Sequence, residues 1–106
     1  SAPAVISAVL PSSLDRALPD GRCLTGEVGL SGEVRPVGRI EQRILEAERI
    51  GFRALILPES DLLGLSEAPR SIQLIGVKTV EEAFRLLFRR RQQQRAILGR
   101  KGNSTG

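Results

Sequence analysis

The sequence predicts an α/β domain in which helices cover a mixed sheet. Three observations point there: short extended runs bounded by Gly and Pro, two longer segments with apolar residues at helical spacing, and their order, strand pair, helix, strand, strand, helix. Residues 4 to 10, "AVISAVL", read as the end of an apolar helix or a strand closed by Pro11. "PSSLDRALPDGR" reads as a turn-rich connection, broken by Pro19, Asp20 and Gly21. "CLTGEVGL" and "EVRPV" are two extended runs, and Ser31 with Gly32 between them gives a two-residue hairpin signal. Gly26 and Gly29 inside the first run mark a bulge or a close approach of backbone. From Val37 to Ile50, Ile40, Ile44, Ala47 and Ile50 form a helical stripe that Gly51 should stop. "FRALILP" is a nearly continuous apolar run, as a buried strand requires, and "SIQLIGV" is a further strand after a loop rich in Leu, Glu and Pro. Thr79 and Glu82 have capping-box spacing, and Val80, Phe84, Leu87 and Phe88 make the stripe of a last helix. Beyond Phe88 the stripe fades, so residues 1–88 are expected to be the folded domain, residues 89–106 a flexible basic tail, and "GRKGNSTG" disordered.

Only three aromatics occur, Phe52, Phe84 and Phe88, so the core has to come from Leu, Ile, Val and Ala. Cys23 is the single cysteine and there is no His, which excludes an internal disulfide and a four-ligand zinc site. No apolar run is long enough to span a membrane and no signal segment is visible, so a cytoplasmic setting is expected. The net charge of +4 conceals an asymmetry. All twelve acids lie in residues 1–84 beside nine cations, a balance of −3, whereas residues 85–106 hold seven cations and no acid.

Those seven, Arg85, Arg89, Arg90, Arg91, Arg95, Arg100 and Lys101, can neutralise duplex phosphates and release counterions, giving salt-sensitive affinity without sequence preference. A solubilising tail is the plainer reading, of equal weight. With no Trp or Tyr, a stacking platform for single strands is disfavoured. Gly26, Gly29 and Gly32 precede a strand rather than a helix, so turn geometry suits them better than a phosphate loop. Glu27 and Glu33 read as surface acids, and Cys23 as an inert buried thiol despite its neighbour Arg22.

The run "TGEVGLSGEVRPVGRIEQRILEAERIGFRALILP", residues 25–58, resembles the proteolytic domain of the Lon protease family, with "IQLIGVKTVEEAF" as a weaker continuation. Within that superfamily it is most similar to the C-terminal Lon-like domain of the RadA (Sms) family of bacterial DNA repair ATPases. The resemblance implies a Lon-protease-like (ribosomal protein S5 domain 2-like) fold, truncated at its N-terminus, and a non-proteolytic domain serving DNA binding and ring assembly. It further implies ATP, magnesium and zinc for a full-length relative, a hexameric homo-oligomer, branched or duplex DNA, and cooperation with the RecA recombinase. No Walker motif or four-cysteine motif is present here, so the segment itself is expected to be non-enzymatic and to need no cofactor.

Lon-type proteases use a serine activated by a lysine, and the alignment places that lysine on Arg43. A guanidinium with a pKa above about 12 cannot act as the base. Ser1 and Ser7 do not sit in the family's serine motif. A serine-lysine peptidase and a magnesium-chelatase-like ATPase remain as alternatives. For Arg39, Glu41 and Arg43 the plain reading is a solvated helix turn, and contact with DNA phosphates or a neighbouring subunit is the other. Arg35, Arg39, Arg43 and Arg53 are the DNA-contact candidates on the body.

Overall fold

A computed structural model describes the backbone of residues 14–104 and the side chains of residues 15–88 and 95–99. The "AVISAVL" run, Ser1 and Ser7 lie outside the described residues. Five strands, β1 (Leu14–Ala17), β2 (Arg22–Val28), β3 (Val34–Arg35), β4 (Ala54–Pro58) and β5 (Gln73–Val77), form a mixed sheet. Its order is β1-β2-β4-β5, with β3 paired to β2; β2, β4 and β5 run parallel, and β1 and β3 antiparallel to β2. The helices are α1 (Ile40–Ile50), α2 (Glu59–Leu62) and α3 (Val80–Ser104).

Every residue of β4 is buried, because it has parallel neighbours on both edges and a helical layer on both faces. Side chains alternate about the sheet. Cys23, Leu55 and Leu57 face α1, where they meet Ile44, Ala47 and Ile72. Ile56 and Val77 face α3, where they meet Ala83 with Leu24, Val34 and Leu87 packed beside them. On that second face α3 leaves an apolar cleft of about 200 Å³ over β1 and β2, bordered by Leu18, Leu24, Val28, Val34, Phe84 and Leu87.

Four elements differ from the sequence reading. β1 lies within the stretch read as a connection; Asp15 and Arg16 break its apolar pattern, and pairing with β2 is what makes it a strand. The β2–β3 register, Glu27 with Arg35 and Val28 with Val34, leaves Gly29–Glu33 as the turn, longer than the Ser31-Gly32 pair alone. It is closed by the Gly29 N–H on the Glu33 carbonyl at 2.9 Å and the Gly32 N–H on the Gly29 carbonyl at 3.0 Å. The loop after β4 contains the single-turn α2, which lies so close to Gly76 that a Cβ there would come within 2.6 Å of Leu62 Cδ1. Finally, α3 does not stop near Phe88 but continues to Ser104, across the expected domain boundary and into the stretch read as disordered. Its first turns are anchored on Ala83 and capped by Thr79 Oγ1, which accepts the Glu82 N–H at 3.0 Å. Arg, Gln, Leu and Ala are good helix formers, so an anchored helix propagates through them. The capping box is shifted by one residue: the Glu82 carboxylate accepts from the Lys78 N–H at 3.0 Å.

Candidate functional site

The turn that opens α1 is not solvated at Arg43. Arg39 precedes the helix at φ 59°, ψ 44°, a left-handed conformation that costs a side-chain-bearing residue roughly 1–2 kcal/mol. From there α1 carries Arg43 inward between Ile40 and Ala47, and its side chain is 2 % exposed. Nη1 donates to Asp15 Oδ1 at 2.6 Å and to Thr25 Oγ1 at 2.8 Å, while Nε donates to the Gly38 carbonyl at 3.3 Å. The Thr25 hydroxyl donates in turn to Asp15 Oδ1 at 2.6 Å. Asp15 and Thr25 reach this place because they are direct cross-strand partners of β1 and β2, on the face that α1 covers. Asp15 Oδ2 is buried without a hydrogen-bond partner among the described residues.

The arrangement is a buried, hydrogen-bonded ion pair. The guanidinium is cationic, the threonine proton already points at a carboxylate, and the site is closed to solvent. Arg43 is therefore withdrawn from the surface, a correction both to the solvated turn and to its place among the DNA-contact candidates. Sequence reasoning missed Asp15 and Thr25. The only available signal was that positions 40, 43, 44 and 47 share one helical stripe, which obliges a cation at 43 to find a buried acid.

The remaining body arginines do not converge. Arg35 on β3 is paired with Glu33 at 2.9 Å, near the end of β2. Arg53 donates to the Asp20 carbonyl at 2.7 Å before the start of β2, six residues or about 20 Å away along that strand. Arg39 is exposed and makes no ion pair with a described residue. Arg85 is exposed and paired with Glu81 at 2.9 Å, one turn back on α3. Arg95 is exposed further along the same helix; positions 89, 90, 91, 100 and 101 are carried on its backbone, and their side chains lie outside the described set.

Glu27 and Glu33 do not form an acid/base pair. Hydrogen bonding from its own backbone amide, with the Arg35 guanidinium and the Ser31 amide, holds the Glu33 carboxyl below the usual range. Gly29 leaves room for this contact, since a Cβ there would fall 1.6 Å from the movable end of Glu33 at Oε1; at Gly26 it would fall 2.7 Å from Val34 Cγ1. Cys23 is an inert thiol, pushed up to about 12 by burial and then by the Asp15 charge. Among the described residues no cluster of three His, Cys, Asp or Glu could hold a metal ion, and no helix is long and apolar enough to cross a membrane.

A mixed sheet packed by helices agrees with the Lon-protease-like fold that the resemblance implied. The chain belongs to that family: the model of the Lon protease (S16) C-terminal proteolytic domain matches residues 1–90. It is similar to the DNA repair protein RadA of Streptococcus pneumoniae, 42 % identical over 85 residues, which are 80 % of this chain and 20 % of the relative. It is also similar to that of Bacillus subtilis, 44 % identical over 82 residues (77 % and 18 %), and of Pseudomonas aeruginosa, 42 % over 85 residues (80 % and 18 %). The chain thus spans about a fifth of the length of these relatives.

Proposed function

We propose that this chain is the non-proteolytic Lon-like part of a RadA-type DNA repair and recombination ATPase, and that it contributes duplex DNA binding and ring assembly. ATP, magnesium and zinc belong to other parts of such a protein, as does the work of an ATP-driven branch-migration motor; RecA and branched DNA are its partners. The non-proteolytic half of the reading rests on Arg43: at the position matched to the family's lysine stands a guanidinium paired with Asp15, which cannot serve as the base for a serine.

The observation that carries the DNA half is α3, which runs on from the body with seven cations and no acid from residue 85 onward. Assembly is supported by the apolar flank of the cleft, where Val28 and Phe84 are 46 % and 63 % exposed, and by Phe88 one turn further along α3, also 63 % exposed. Fluorescence anisotropy on a random-sequence duplex tests the DNA role. Neutralising six or so phosphates should cost about three orders of magnitude in affinity between 50 and 200 mM salt. A flat salt dependence, or no binding at 50 mM, refutes it.

A further inference from the structure

We propose that the distal half of α3, residues 89–104, is a major-groove helix: it binds duplex DNA by lying between the two phosphate walls rather than by resting on one of them. This rests on the DNA-binding reading above and specifies its geometry. Residues 95 to 99 are all exposed, Ile97 at 50 % and Leu98 at 67 %. Five consecutive residues cover more than a full turn, so among the described residues this part of the helix is open to solvent all the way round. At about 100° per residue, the six cationic positions fall into three pairs, 89 with 100, 90 with 101, and 91 with 95, spaced roughly evenly about the axis.

A helix that rests on a flat anionic surface needs its cations on one side. Cations on three sides match a channel with charge on both walls. The dimensions agree: sixteen residues make a rod about 24 Å long and 10–12 Å across, and the major groove of B-form DNA is about 12 Å wide. The helix also lacks what would hold it up alone. Its described residues, 95–99, are all exposed, and the pairs 85 with 89 and 91 with 95 place like charges at i,i+4, which destabilises a helix in water. A surrounding polyanion reverses the sign of that effect.

The experiment uses the full 106-residue chain at 50 mM salt with three versions of one 30-base-pair duplex: unmodified, glucosylated on its hydroxymethylated cytosines so that the major groove is filled, and saturated with the minor-groove ligand distamycin. Glucosylation should weaken binding at least tenfold and distamycin less than twofold. Equal affinity for the unmodified and glucosylated duplexes overturns the groove and leaves phosphate binding standing. No binding to the unmodified duplex overturns both. A second arm, Gln93→Pro, keeps every charge and breaks the helix. It should lose at least tenfold on the unmodified duplex, and unchanged affinity overturns the requirement for a helix.

Discussion

Replacing Arg43 with Ala removes the cation and leaves its acid in place. The side chains of Arg43 and Asp15 are 2 % and 0 % exposed, and Nη1 is 2.6 Å from Oδ1, so water does not screen the pair. The variant strands Asp15, with Oδ1 reduced to the Thr25 hydroxyl and Oδ2 already without a partner among the described residues. Breaking one side of such a pair costs about 3–5 kcal/mol, a large part of the roughly 5–15 kcal/mol available to a domain. At about 4–8 °C per kcal/mol for a chain of this size, the midpoint of thermal unfolding should fall by more than roughly 10 °C. Asp15→Ala should also destabilise, by less, because the guanidinium keeps the Gly38 carbonyl and the Thr25 hydroxyl as acceptors. The double variant should be much less destabilised than the sum, with a coupling of about 2 kcal/mol or more in urea-unfolding measurements. A loss below about 1 kcal/mol for Arg43→Ala, or strict additivity, would refute the buried ion pair and return Arg43 to the solvent.

Arg43→Lys should not create a peptidase: the ammonium faces the Asp15 carboxylate, which favours its charged form, so casein should stay intact over a day's incubation. Asp20 is held below its usual 3.8, chiefly by its hydrogen bond from Arg22, so it contributes stability that is present above that pH and lost as the pH falls through the lowered value. Asp20→Asn should therefore lower the unfolding temperature at pH 7, and the difference from the parent should shrink as the pH falls below 3.8. Gly26→Ala pushes on the stiff Val34 and should cost about 1–3 kcal/mol in chemical denaturation. Gly29→Ala displaces only the ends of Glu33 and Arg35 and should cost less.

The elements legible in the sequence were those whose pattern is set by their own burial. "FRALILP" announced a strand covered on both faces, Gly51 ended α1 at φ 104°, and Thr79 capped α3 as its spacing required. Gly26 and Gly29 marked close approaches because only a missing Cβ admits the Val34 and Glu33 side chains. The ordered string from Thr25 to Pro58 was specific enough to identify the Lon family.

What tertiary structure decided were the features made by pairing across sequence distance. Asp15 and Arg16 do not read as a strand until β2 supplies the other half of the ladder. Arg43 looked like one of several arginines on a polar turn; Asp15, 28 residues away, and Thr25, 18 away, made it the buried one. The length of α3 was hidden for the opposite reason. An apolar stripe reports where a helix is packed, and it ends with the packing near Phe88, whereas the helix itself continues to Ser104. Sequence by itself determined the family, the fold class and the charge imbalance, because these follow from local pattern and composition. Which cations face solvent was decided only by the fold, because burial depends on what the chain brings to each side chain from elsewhere.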